Sequence, residues 1–116
     1  MKPNAESFLP LSPAVLHILV ALAGEARHGY AIMQEVQRQS EGRYKLGPGT
    51  LYDNLQKLLS AGLVEEVSQA AADDDPRRRY YRLSGFGRKV LSVEISRLEE
   101  LARAARPYLQ PGPKRA

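Results

Sequence analysis

A chain of 116 residues, 43% hydrophobic and 26% charged, has the balance of one globular domain. Folding at this size buries about 65% of the unfolded surface, enough for one modest core. That composition excludes collagen-like, fully disordered and multi-span membrane chains. The absence of cysteine excludes a disulfide scaffold, a thiolate nucleophile and a cysteine-based zinc site, and it fits a reducing, cytoplasmic setting. The 17 basic and 13 acidic residues leave a net charge of +4, a surplus that suits a polyanionic partner. The charges are also segregated. Glu65 to Asp75 holds five acids and no base, and Arg77 to Lys89 holds six bases and no acid.

Residues 1–11 read as a flexible N-terminal arm. Pro13 to Gly24 is an apolar run broken only by His17, too short to cross a bilayer. Ala21-Leu22-Ala23 follows the small-x-small pattern of a signal-peptide cleavage site. Ser12 as N-cap and Pro13 at the first helical position instead assign the run to a core helix over 13–23. A second helix is predicted over 29–40, with Ile32, Met33 and Val36 on one face and Gln34, Glu35, Gln37 and Arg38 outward. Tyr44-Lys45-Leu46 reads as a short extended piece. A third helix over 48–61 follows the break at Gly47-Pro48-Gly49 and stops at Gly62. It buries Leu51, Leu55, Leu58 and Leu59 and shows Tyr52, Asp53, Gln56, Lys57 and Ser60 on the opposite face.

Residues 63–68 and 78–83 read as strands joined by the nine residues 69–77, a β-hairpin wing with a hydrophilic tip. In the second strand Tyr81 shares its face with Leu83 and is expected inward, whereas Tyr80, on the face of Arg78 and Arg82, is expected outward. Ser84 caps a last helix from 85 to 106, closed by Pro107. Leu91, Ile95, Leu98, Ala102 and Ala105 step by 4, 3, 4 and 3, a coiled-coil-like seam of about two heptads. Residues 110–116 read as a disordered tail. The order of elements gives a mainly α fold with a small β-wing. It is a winged helix-turn-helix over 12–84, followed by a C-terminal helix over 85–109.

This order places three features where DNA contact requires them. The N-terminal residues of a helix entering the major groove read base edges, and here those are Gly49, Thr50, Tyr52, Asp53 and Gln56. Lys57 would reach the backbone. Arg77, Arg78 and Arg79 stand at the wing, where they can enter the minor groove or bind phosphates. Taken singly, each feature has a plainer reading: Tyr52 as a lid on the core, the arginines as a loop neutralised by Asp73-Asp74-Asp75, the Gly-Pro-Gly as a linker. No catalytic constellation stands beside them. His17 and His28 read as structural, no HExxH or other metal spacing occurs, and Gly47-Pro48-Gly49-Thr50 is not a phosphate loop. Neither a cofactor nor a metal is expected, and the reading is not an enzyme.

His28-Gly29-Tyr30-x-Ile32, Gly49-Thr50-Leu51-Tyr52-x-x-Leu55-x-x-Leu58, Ala61-Gly62-Leu63-Val64 and Arg79-Tyr80-Tyr81-Arg82-Leu83-Ser84-x-x-Gly87 follow one another with family-like gaps. Together they resemble the PadR family of bacterial transcriptional regulators over roughly residues 12 to 90. Ser84 stands where that family usually has Thr, which keeps the cap. The resemblance implies a homodimeric repressor of the short branch with a single C-terminal helix. Thr50 and Tyr52 would sit in the major groove, the wing would lie on flanking DNA, and the helix after Ser84 would form the dimer interface. Family members respond to phenolic acids, drugs or other small molecules, and some have no known effector. The triple Asp before Pro76 departs from the pattern and sets negative charge close to the wing.

In a dimer of this kind the two recognition helices lie about one helical turn apart, ~34 Å, and read a pseudo-palindromic operator in double-stranded DNA. Two other classes predict different outcomes. A winged-helix module that binds protein instead of DNA predicts that Arg78 and Arg79 can be removed without loss. A ligand carrier predicts ligand binding with no DNA binding at any salt.

Overall fold

The computed structural model describes residues 4–68 and 78–109. The elements run α1 (Pro13–Ala21), β1 (Arg27–His28), α2 (Gly29–Gln39), α3 (Pro48–Ala61), β2 (Val64–Val67), β3 (Tyr80–Leu83) and α4 (Gly85–Leu109). Local chemistry sets most boundaries. The Ser12 hydroxyl accepts from the Val15 N–H at 3.2 Å and Pro13 stands at the helix start. Gly62 closes α3 with φ 81°, a left-handed conformation that glycine adopts without strain. Ser84 does three things at the start of α4. Its N–H donates to the Leu63 carbonyl at 3.0 Å, its hydroxyl donates to the Gly62 carbonyl at 2.5 Å, and that hydroxyl accepts from the Gly87 N–H at 2.9 Å. The start of the last helix is thereby stitched to the end of the third.

The leucine stripe of α3 packs as its spacing requires. Leu51, Leu55 and Leu58 meet Ile18, Leu19 and Leu22 of α1 and Ile32 and Val36 of α2 in one core. Leu63, Val64, Tyr81, Leu83 and Val90 close it from the sheet side. Of α1, Ile18, Leu19 and Ala21 are buried, whereas Ala14, Val15, Leu16 and Val20 are only half-buried. Two carboxylates sit inside this framework. Glu35 of α2 takes a bidentate contact from Arg38 and a 2.8 Å bond from the Gln39 amide, with Arg27 at 3.7 Å. Glu94 of α4, 1% exposed, accepts two bonds from Arg97 at 2.6 and 3.0 Å and one from the Leu11 N–H at 3.0 Å. The arginine in each case holds the carboxyl below its ordinary pKa, against the opposing effect of burial.

Four expectations from the sequence are corrected. The extended piece at 44–46 is not a strand. The third strand is instead Arg27–His28, which pairs antiparallel with β3 (Arg27 with Tyr81, His28 with Tyr80), so the sheet order is β1-β3-β2. The N-terminal arm is not loose over its described part. Ala5–Phe8 forms a 3-10 turn, Ala5 is buried, and Phe8 packs edge-on against Phe86 of α4 at 5.7 Å. Tyr80 is 7% exposed rather than outward, because His28, its cross-strand partner on β1, sets its ring edge-on against it at 5.3 Å. Pro107 does not close the last helix, which continues to Leu109. The wing tip at 69–77, with Asp73 to Asp75 and Arg77, and the tail at 110–116 lie outside the described residues.

Candidate nucleic-acid interface

The N-terminal part of α3 is the most exposed stretch of helix in the helix-turn-helix. Gly47 caps it without a side-chain bond and Pro48 occupies its first position, so no side chain covers the first-turn amide groups. Gly49, Thr50, Tyr52, Asp53 and Gln56 are all exposed over the first turns, opposite the buried leucines. These are the residues the sequence marks for base contact, and the fold gathers them on one outward face.

Tyr52 leans from this face toward the sheet. Its hydroxyl lies against Gly29 so closely that a methyl group at that position would overlap it. His28, Gly29, Tyr30, Tyr52, Arg78, Arg79 and Tyr81 together line a cleft of about 310 Å³. The recognition helix, the start of α2 and the base of the wing therefore meet in one place. Burial pushes the Tyr81 phenol above its ordinary pKa, and the Glu66 carboxylate adds to that, so it stays neutral.

The sign segregation seen along the chain folds back on itself across the hairpin. Glu65 pairs with Arg82 in the strand register and meets it at 2.9 Å, and Glu66 stands 3.9 Å from Arg79. Arg78 differs. No carboxylate partners it among the described residues, and its guanidinium lies 3.3 Å from Nε2 of His28. The other ring nitrogen of His28 accepts from the Ala31 N–H at 3.3 Å, capping α2. A neutral imidazole accepts through one nitrogen only, so the cap and the Arg78 contact compete.

Lys57 is exposed on α3 one turn after Asp53, with a second set of neighbours. Lys57 lines an apolar groove of about 210 Å³ with Phe8, Leu11, Val15 and Leu58, on the flank of α3 that faces the N-terminal turn. Arg77 lies outside the described residues. Sequence reasoning missed Tyr30, which is 63% exposed and lines the cleft, although His28-Gly29-Tyr30 was in view as a motif.

The seam assigned to α4 divides in two. Leu91 is 8% exposed and belongs to the core of its own chain, and Ile95 packs against that core. Beyond Arg97 the helix leaves the body of the protomer. Leu98 and Ala105 are half-buried, Ala102 is exposed, and Leu101, Tyr108 and Leu109 are 58%, 87% and 75% exposed. Leu98, Leu101, Ala105 and Tyr108 step by 3, 4 and 3. They share Leu98 and Ala105 with the predicted seam and add Leu101 and Tyr108 beside it, so the part of the seam beyond Arg97 lies outside the core of its own chain.

Among the described residues no group of His, Cys, Asp or Glu could hold a metal ion, and no helix is long and apolar enough to cross a membrane. Comparison with known proteins gives a consistent picture. The model of the transcriptional regulator PadR-like family matches residues 15–93. The chain is 41% identical over 88 residues to the transcriptional regulator Rv3488 of Mycobacterium tuberculosis, covering 76% of this chain and 78% of that protein. A PadR family transcription regulator of Clostridium difficile R20291 shares the fold with a TM-score of 0.71 at 21% identity, over 85% of this chain and 100% of that one. RosR of H. salinarum does so with a TM-score of 0.60 at 28% identity, over 84% and 79%. Members of this family are transcriptional regulators, not enzymes. With the winged-helix architecture and the family match over most of its length, this chain belongs to the PadR-like family of transcriptional regulators.

Proposed function

We propose that the chain is a homodimeric repressor that binds a pseudo-palindromic operator in double-stranded DNA. The observation that carries this reading is the meeting of Tyr52 of α3 with Arg78 and Arg79 of the wing around one exposed cleft. A duplex laid against that cleft is met by the recognition helix and the wing together. Thr50, Asp53 and Gln56 are the base-reading candidates, Arg78 and Arg79 the backbone contacts, and backbone charge supplies much of the affinity with a steep salt dependence. Arg77 joins them if the wing tip follows the same strand.

Dimerisation is read from α4. A helix of 25 residues is about 37 Å long, and only its first half is covered by its own chain. Leu98, Leu101, Ala102, Ala105 and Tyr108 on the second half, with the half-buried Val15, Leu16 and Val20 of α1, offer apolar surface to a second copy. A twofold axis between two such helices sets the separation of the two α3 helices and hence the half-site spacing. A small-molecule effector, in this reading, acts by binding one spacing more tightly than another. The site of action is the cytoplasm, with the DNA.

Fluorescence anisotropy tests the reading, with DNA from upstream of the chain's own gene against a scrambled duplex. The expected result is a preference of about 10³ or more at physiological salt. Equal binding to both duplexes that vanishes with salt contradicts sequence-specific recognition there. DNA affinity unchanged by every candidate ligand contradicts the effector step.

A further inference from the structure

The cleft that joins α3 to the wing holds two phenols and an arginine with no carboxylate partner among the described residues, and this combination suits an anion better than a base edge. We propose that it seats one backbone phosphate of the duplex, held by Tyr30, Tyr52 and Arg78, and that Tyr52 therefore contributes affinity without reading sequence. This rests on the DNA-binding reading above and assigns one part of that interface.

Three observations converge on the assignment. First, Tyr52 stands at the edge of the exposed arc of α3, one helical step or about 100° from Asp53, and leans away toward α2. Its hydroxyl ends against Gly29, the first residue of α2. The first-turn amides of any helix lack intrahelical acceptors, and the His28 ring takes up that of Ala31. The phenol thus lies at the positive end of an 11-residue helix.

Second, Tyr30 on the first turn of the same helix is 63% exposed and Tyr52 is 49% exposed, although each carries a large apolar ring. A phenol at such a position donates its O–H to a phosphate oxygen while its ring shields the contact from water. Third, the charges around the cleft are unevenly committed. Glu66 stands with Arg79, and Glu65 with Arg82. Arg78 has only the ring of His28 against it among the described residues. When that ring caps α2 through Nδ1, its Nε2 carries the proton and cannot accept from Arg78, which leaves the guanidinium to a phosphate. Gly29 belongs to the same design, since only a residue without Cβ lets the Tyr52 hydroxyl reach the helix end.

The test uses the full chain, a duplex selected from a random pool and a scrambled duplex of the same length. Tyr52→Phe keeps the ring and its packing and removes only the hydroxyl. The expected result is an affinity loss of about tenfold on both duplexes, with the ratio between them unchanged. Tyr30→Phe should act in the same direction. Arg78→Ala should lower the slope of log affinity against log salt by about one, again on both duplexes. Melting curves of the three variants should match the wild type, since none of these side chains is buried. A Tyr52→Phe loss confined to the selected duplex would make Tyr52 a base reader and overturn the proposal. Unchanged binding to both duplexes would overturn it equally. A wild-type protein that binds neither duplex would refute the DNA-binding reading, and the phosphate seat with it.

Discussion

Replacing Leu101 with Ala should weaken the proposed dimer without unfolding the single chain. Leu101 is 58% exposed on α4, past the point where the helix leaves its own core, so the fold does not depend on it. Alanine also keeps the helix, being the best helix former. Full burial of a leucine side chain is worth about 1.5–3 kcal/mol. Covering the 58% still exposed, less what alanine retains, gives about 1 kcal/mol for each copy. A twofold interface uses the residue twice, so the variant loses about 2 kcal/mol, a rise of about 30-fold in the dimer dissociation constant. Sedimentation velocity over a dilution series measures this directly, with thermal melting at high concentration as the control for folding. An unchanged dissociation constant would refute the assignment of this stripe to the interface. A protomer melting far below the wild type would refute the claim that the stripe is free of the core.

Leu91 supplies the converse case. Although it stands on the seam read from the sequence, it belongs to the protomer core, so Leu91→Ala should cost about 2–4 kcal/mol in urea unfolding. Gly87→Ala should lower stability by about 2–3 kcal/mol, because its methyl group would overlap the Leu63 carbonyl, which is backbone and cannot swing aside. Glu94→Gln, with its amide oxygen in the Oε2 position, keeps the bond from the Leu11 N–H, weakens one bond from Arg97 and loses the other because an amide NH2 cannot accept, with an expected cost of about 1 kcal/mol, reduced by the solvent around Arg97. The pH dependence follows from the same pairs. Glu35 and Glu94 have folded pKa values below their ordinary 4.5, so their contribution is complete above that pH and is lost as pH falls through the depressed values. Unfolding midpoints should therefore drop below about pH 4.5, and Glu94→Gln should flatten part of that drop.

Much of the fold could be read from local chemistry. Ser12-Pro13, Gly62 and Ser84 mark element ends through caps and a left-handed turn, which act within a few residues and leave a trace in sequence. The leucine stripe of α3 likewise fixes the helix and its exposed face together, so the outward position of Gly49, Thr50, Tyr52, Asp53 and Gln56 is legible in the sequence. What escaped was non-local. A strand of two residues, Arg27–His28, carries no periodicity and exists only because β3 lies beside it. That strand also bears on Tyr80, whose alternation points outward but whose cross-strand partner His28 brings a ring against it. The arm at 5–8 is ordered by contacts with α4 some eighty residues away, among them the Leu11 bond to Glu94.

Two site expectations gain neighbours that spacing alone does not show. Lys57 shares the exposed arc of α3, yet the N-terminal turn packs beside it and turns its surroundings into an apolar groove. The 4-3-4-3 spacing on α4 is real, but spacing alone cannot say how far along the helix the core of its own chain reaches. Leu91 and Ile95 went to that core, whereas Leu98, Ala102 and Ala105 of the same seam stand beyond it, beside Leu101 and Tyr108. Tyr30 was visible within a motif and gained a role only when Gly29 and Tyr52 were seen to touch.

The most direct test of the account is the stoichiometry and footprint of the complex on a duplex selected from a random pool. Native mass spectrometry should find two protomers on one duplex, and hydroxyl-radical footprinting should protect two half-sites about 10 base pairs apart, centre to centre. The selected sequence should be a pseudo-palindrome. One protomer for each duplex with a single protected patch, or a pool that yields no preferred sequence, would contradict the central claim that paired α4 helices present two α3 helices to DNA.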